Sequence, residues 1–381
     1  MSDVLEGQVK PPLNVPAVIL FSVSTAAALT ILPWYAWTQG FHAGAWAFFA
    51  FCICATGLSI TAGYHRLWAH RAYSAHWSLH LFYLLFGAMA FQNSILVWCS
   101  MHRVHHKHVD DVDLDPYSIR RGFWFAHMGW MVRNYPSGEL DFTNAPDLEN
   151  DRMVAFQHRH YLAIALGMNF GFPLLAGFIA GDPWGFLLLG GLLRLVINHH
   201  LTFFINSLAH YWGRRPYTVQ NSARDNDLIA VFTFGEGYHN FHHLFQWDYR
   251  NGVRWWHYDP TKWWIAGFAA LGLASGLKRV SEFKIQRAML QRQFDRAQAK
   301  LRACPSHGRI AVLQKLLEHE LEAFSATVNE WTHLQGERIE AARKQLAGQW
   351  ENSEARRRLQ VLEEALRLQR QRVRLLRLQT A

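Results

Sequence analysis

Cysteine is scarce in this 381-residue chain. Cys52, Cys54, Cys99 and Cys304 form no CxxC and no paired spacing, which argues against a disulfide scaffold and a thiolate zinc site. Charge is scarce as well. Asp, Glu, Lys and Arg make up 18% of the residues, against ~25% in ordinary soluble domains, so a wholly soluble chain is not expected. The first residues carry one cation, Lys10, with Asp3 and Glu6 nearby, and do not read as a cleaved signal peptide. What the chain has in excess is apolar surface and histidine: 50% hydrophobic residues, 17 Trp and 22 His.

The charge divides the chain. Residues 1–277 hold 17 basic and 17 acidic residues, whereas the remainder hold 21 and 12, so the whole net charge of +9 belongs to the tail. The balanced part contains four apolar stretches of the ~20 residues that cross a bilayer: 16–34, 43–64, 161–180 and 184–205. They pair as two hairpins whose tight turns lack Lys and Arg. The long segments at the opposite ends carry Arg66, Arg71, Arg103, Lys107, Arg120, Arg121, Arg133, Arg214 and Arg215. By the positive-inside rule those segments, and both termini, are expected in the cytoplasm. Trp77–Trp98 is long enough to span, yet histidine clusters flank it, and a shared site needs both on one side. It is therefore expected as a helix in the cytoplasmic cap. Trp263–Leu277 is too short to cross.

From about residue 282 the sequence changes to Leu, Ala, Glu, Gln and Arg, with apolar residues three and four apart, as in Ile310, Leu313, Leu317, Leu321 and Phe324. Breaks at 304–308 and 348–353 predict two or three amphipathic helices folded as a hairpin or coiled coil. The arginines at 356–358 and from Arg367 to Arg377 suit anionic lipid or a solvated face equally. No base-stacking aromatics accompany them, so nucleic acid is not expected as a partner. The fold class expected is an all-α membrane protein of four spans with a helical cap, a domain at 1–281, and a helical extension at 282–381.

Histidine carries the chemistry. His65 and His70 frame one cluster, His102, His105 and His106 a second, and His239, His242 and His243 a third. Spacing of i, i+3, i+4 places the last two sets on one helical face each. Imidazole suits Fe, Zn, Cu and Ni, and so many rings buried without a metal would each need a partner of their own. His210, one turn after Asn206, makes nine, too many for a single ion of four to six ligands. Two metals follow. Asp110, Asp111, Asp113, Asp115 and Glu236 are candidates to orient the rings.

These clusters resemble the histidine boxes of the membrane acyl-CoA Δ9-desaturases, the stearoyl-CoA desaturase family. So do Ile60-Thr-Ala-Gly63, Arg120-Arg-Gly-Phe123 and Gly235-Glu-Gly237 around them. The likeness covers residues 16–281. It implies two irons held by His65, His70, His102, His105, His106, His210, His239, His242 and His243, with Asn206 acting through a water. It also implies insertion of a cis double bond into a long-chain acyl thioester with O2 and two electrons. No fused cytochrome b5 signature is visible, so a separate ferredoxin, rubredoxin or cytochrome b5 with its reductase is expected as donor.

At the head-group site, Asn93 and Arg133 match family contacts, whereas Ser100, Met101 and Asn134 stand where Arg, Asp and Lys are usual. This weakens the case for coenzyme A and leaves acyl carrier protein or phospholipid as other carriers. Gly57 and Ile53, on one face of the second span, match positions near the closed end of the acyl tunnel, and helix packing explains Gly57 equally well. A membrane di-iron hydroxylase is the alternative enzyme and a His-rich metal transporter the non-enzyme alternative.

Overall fold

The computed structural model describes residues 10–303, 308–343, 350 and 353–379. Contacts divide the chain into two units, one of residues 1–215 and 220–279, the other of residues 216–219 and 280–381. The first unit is mostly helical. Its only sheet among the described residues is the two-stranded pair Ser74–Ala75 and Ala274–Ser275.

Four helices are long and apolar enough to cross a membrane: Val15–Thr38, Ala43–Ala69, Tyr161–Ala180 and Pro183–Tyr211. The second and fourth are the more buried. The hairpin turns are tied to each other, since Tyr35 Oη donates to Asp182 Oδ1 (3.0 Å), and the same oxygen accepts from Gly185 N. Trp34, Trp37 and Trp184 are exposed, as residues of an interfacial belt should be. Trp77–Trp98 does not form one long helix. Helix Trp77–Met89 ends in a turn, and Ser94 caps a second helix, Ile95–His108. Thirteen residues rise about 20 Å, too little to span. The segment beyond residue 260 likewise gives only the helix Pro260–Ala270.

Two spans outrun the stretches read from hydropathy. Apolar character fades at Tyr64 and Ile205, but helical hydrogen bonding continues to Ala69 and Tyr211. Those extra turns carry His65 and His210. Three spans also contain π-helical segments: Ser59–Ala69, Gly167–Gly171 and Leu187–Leu193.

The second unit contains helices Glu282–Ala303, Gly308–Arg343 and Glu354–Gln379. Their apolar stripes meet in one core that includes Phe283, Leu290, Phe294, Leu317, Phe324, Leu362 and Leu366. Phe283 stacks on Trp331 with centroids 4.3 Å apart. The 304–307 break lies outside the described residues, as does most of 348–353. Of the arginines, Arg358 pairs with Glu330 and Arg372 with Glu320, so part of the charge is satisfied within the bundle.

Candidate metal centre

The nine box histidines converge, but not box by box. His65, His70, His102, His106 and His242 form one group, and His105, His210, His239 and His243 another. Within each, the donor nitrogens lie within 4.8 Å of one another. The expectation of three imidazoles on one face therefore needs correction. On a helix turning roughly 100° per residue, i and i+4 nearly eclipse, while i+3 falls about 100° away from i+4. His102 and His106 point to the first group and His105 to the second. The third box inverts this, with His239 and His243 in the second group and His242 in the first. Two HxxHH motifs thus interlock, each giving two rings to one group and one to the other.

The first box solves a different problem. On an α-helix, residues five apart diverge by roughly 140°. Here His70 N donates to His65 O (3.1 Å), an i+5→i bond at the end of the π-helical Ser59–Ala69. That wider winding lets both rings serve one group. Arg71, immediately after, has a left-handed backbone (φ 50°) and turns the chain away.

The donor set fits a cation in each group. His65 Nδ1 lies 2.9 Å from Glu236 Oε2, and His105 Nδ1 lies 2.8 Å from Asp115 Oδ1. His210 Nδ1 lies 2.7 Å from Ser222 Oγ, which donates to Asp110. These acceptors hold the ring proton on Nδ1 and leave Nε2 as a lone pair. The lone pairs then face one another: His65 Nε2 is 3.0 Å from His242 Nε2, and His239 Nε2 is 3.1 Å from His210 Nε2. Without a cation between them such contacts repel. Burial, reinforced by neighbouring rings, pushes His70, His102, His106, His242 and His243 well below the usual imidazole range, and brings His239 to about 3. The rings are therefore neutral donors.

Of the five acids expected to orient ligands, Asp115 and Glu236 do so directly and Asp110 acts through Ser222. Asp111 and Asp113 do not. Both are exposed, and Asp111 Oδ1 only caps a turn by accepting from Asp113 N and Leu114 N. Ser222 escaped the sequence reading because nothing local marks a serine twelve residues beyond its histidine. Asp259 escaped it too, though Arg66 inside the first box was a signal that a buried cation needed acids. Arg66 Nη2 donates to Glu236 Oε1 (2.9 Å) and to Asp259 Oδ1 (3.0 Å). Asp259 also holds Gly235 close. A Cβ there would sit 2.5 Å from Asp259 Oδ1, and φ is +97°, so only glycine fits before Glu236.

A cavity of about 660 Å³ opens onto both groups through His65, His102, His105 and His239. Its walls include Leu20, Phe21, Ile60, Trp98 and Phe203, and Asn206, Asn93, Arg133 and Asn134 line it as well. Asn14 also lines it and was not anticipated. Arg133 Nη1 donates to Pro11 O (2.6 Å), and Leu13 pairs with Arg133 in an antiparallel bridge, so residues 11–14 run beside this part of the wall. Met101 lines the cavity, but Ser100 points away, donating to Asp141 O and bonding Asn144.

Gly57 and Ile53 are not among the residues lining this cavity. A Cβ on Gly57 would meet Phe234 Cε2 at 2.2 Å, so the aromatic ring already fills the space expected for an acyl end. Gly57→Ala should accordingly cost about 1–3 kcal/mol in stability, the usual range for overpacking a fitted site. Thermal unfolding in detergent measures that loss. On the acyl desaturation that the resemblance implies, the ratio of C16 to C18 products from the surviving protein should stay unchanged, whereas a shift to shorter chains would return Gly57 to the tunnel.

Four spanning helices beneath two interlocked all-histidine groups define a membrane protein with a paired metal site. Residues 17–275 match the family described as fatty acid desaturase. Acyl-CoA desaturase 1 of Saccharomyces cerevisiae is 42% identical over 269 residues, which is 70% of this chain and 52% of the yeast protein. Stearoyl-CoA desaturase 5 of Bos taurus is 40% identical, over 63% of this chain and 72% of the bovine protein. Stearoyl-CoA desaturase of Homo sapiens is 37% identical, over 71% and 75%. The chain spans about half the length of the yeast relatives it matches. It belongs to the fatty acid desaturase family, as the boxes suggested.

Proposed function

We propose that this chain is an O2-dependent desaturase of long-chain acyl thioesters, with acyl-CoA as carrier and Δ9 as the position of the new cis double bond. The observation that carries the reading is the pair of all-histidine groups opening onto one largely apolar cavity. The relatives' names supply the carrier. His65, His70, His102, His106 and His242 would hold one iron, and His105, His210, His239 and His243 the other, with Asn206 contributing through a water. The iron pair, when bound, would supply O2 reduction with two external electrons and two protons from solvent, so that two C–H hydrogens leave adjacent methylenes and two waters form.

The chain's own residues do the selecting. Adjacent methylenes are nearly equivalent, so the site of oxidation depends on holding the acyl chain still against the histidine groups. Trp98 stacks on His102 with centroids 5.0 Å apart and forms wall and ligand support together. Asn93 and Arg133 are the groups that would meet the thioester head. Phosphate from the carrier would compete with the Pro11 carbonyl for the Arg133 guanidinium.

The arginine-rich ends of the spans support a cytoplasmic position for the cap and both termini. A soluble one-electron carrier of ferredoxin, rubredoxin or cytochrome b5 type would then reach the site. Expression in desaturase-deficient cells, followed by fatty acid analysis, tests the reading. Cis-monounsaturated C16 or C18 products are expected, and an alcohol in their place would assign the chain to the hydroxylases.

A further inference from the structure

Arg194 is fully buried in the fourth span, and its partners are neutral oxygens: Gly190 O from Nε (3.0 Å), Met89 O from Nη1 (2.7 Å) and Asn169 Oδ1 from Nη2 (2.5 Å). A guanidinium stays charged in any protein environment, and a charge within a spanning helix is expensive enough to mark a function. Asn169, from the third span, returns to the same place, with Nδ2 donating to Met89 O (3.0 Å). His199, one turn beyond Arg194, bonds Ala90 O (2.9 Å). Three polar side chains from two spans therefore converge on two consecutive carbonyls.

Those carbonyls end the helix Trp77–Met89, where the last C=O groups have no partner within the helix. The turn that follows is costly. Phe91 (φ 56°) and Asn93 (φ 77°) are both left-handed without being glycine, and Asn93 N is fixed by donation to Tyr161 Oη (3.0 Å). Phe91, Gln92 and Asn93 face the cavity. Ser94 then caps the helix that carries His102, His105 and His106. One strained turn thus joins the wall of the cavity to the helix that supplies both metal groups.

We infer that Arg194, with Asn169 and His199, is a positioning device that sets the register of the acyl chain against the metal centre. The inference rests on the desaturase reading for its substrate. By clamping Met89 and Ala90, these side chains fix where the Phe91–Asn93 wall stands relative to His102 and His105. A shift of that wall by a fraction of a residue moves a different methylene to the site. The competing view is that Arg194 only staples the spans together.

The two views separate in Arg194→Gln and Asn169→Ala, prepared in the full chain. Replacing an unpaired buried charge by a neutral side chain of similar reach need not destabilise the fold, so Arg194→Gln should insert and load metal like the parent. Hydrogen exchange at the amides of residues 90–94 should be faster in both variants. Products with a displaced double bond, or an altered C16 to C18 ratio, should rise by roughly three- to tenfold, the scale set by the net worth of one ordinary hydrogen bond. Parental exchange and parental product ratios in inserted, metal-loaded protein would overturn the inference. If Arg194→Gln fails to insert, Asn169→Ala, which leaves the Arg194–Met89 bond in place, decides alone. If the parent itself makes no alkene, the desaturase reading fails, and the exchange experiment still decides whether the clamp exists.

Discussion

His106→Ala and His243→Ala should each leave no detectable product, and they should lose different metals. His106 belongs to the five-histidine group and His243 to the four-histidine group, although their rings stack on each other with centroids 4.3 Å apart. Removing one ligand opens one site. It also leaves the remaining Nε2 lone pairs facing each other without a full set of donors to retain a cation. Each purified variant is expected to lose the metal of its own group far more readily than the other and so to fall toward about one metal per chain, because a donor is gone from one group only. His105→Ala and His242→Ala sharpen the test, because they are the crossed members of their boxes. His105→Ala should resemble His243→Ala, and His242→Ala should resemble His106→Ala. Were the three rings of each box to serve one metal, His105→Ala would instead pair with His106→Ala. Metal analysis of double variants decides between these arrangements: His105→Ala with His243→Ala should keep about one metal and His105→Ala with His106→Ala none, with His257→Ala as a control outside the boxes.

The reason this partition was not legible is geometric. Nine histidines and the need for two metals can be counted in the sequence, because clustered imidazole is rare and chemically costly. Helical winding pairs i with i+4 and sets i+3 apart, but which group each pair joins depends on the angle at which helices Ile95–His108 and His239–Leu244 approach each other, and no local residue encodes that angle. The spans were legible from length and apolarity, but their ends were not. Hydropathy falls where Tyr64 meets His65 and where Ile205 meets Asn206, whereas the hydrogen-bond ladder ignores side-chain polarity and runs on to Ala69 and Tyr211. The π-helical winding of Ser59–Ala69 has no signature in residue type, and yet it alone reconciles a five-residue spacing with a shared metal. Gly57 was legible only as two open readings. Its small size was visible, but a glycine reads the same whether it leaves room for a ligand or for a phenyl ring, and Phe234 lies 177 positions away.

Glu236→Gln should weaken metal retention by ten- to a hundredfold, the usual effect of removing the partner that orients a ligating imidazole, while leaving the chain folded. The carboxylate stands between three donors. Oε2 meets His65 Nδ1 (2.9 Å) and Asn251 Nδ2 (2.8 Å), and Oε1 meets Arg66 Nη2 (2.9 Å). Burial alone would raise its pKa, but the His65 ring and the Arg66 guanidinium outweigh burial and hold it at about 2, so the group is ionised at any working pH. An anion there fixes the proton of His65 on Nδ1 and strengthens the lone pair on Nε2. The amide of glutamine keeps the shape and one acceptor, but presents either an oxygen without charge or an N–H that His65 cannot accept in the required tautomer. Folding should survive, because Arg66 retains both oxygens of Asp259 (3.0 and 3.2 Å) and the Tyr249 carbonyl (2.8 Å). Glu236→Ala is the harsher change. It strips Asn251 and Arg66 of partners in a fully buried network, and breaking a buried pair costs about 3–5 kcal/mol. That variant should lose folded protein as well as metal. Competition with a chelator, followed by thermal unfolding of each metal-free protein, separates the two effects. A Glu236→Gln protein that holds both metals as tightly as the parent would show that the His65 tautomer is set by something other than this carboxylate.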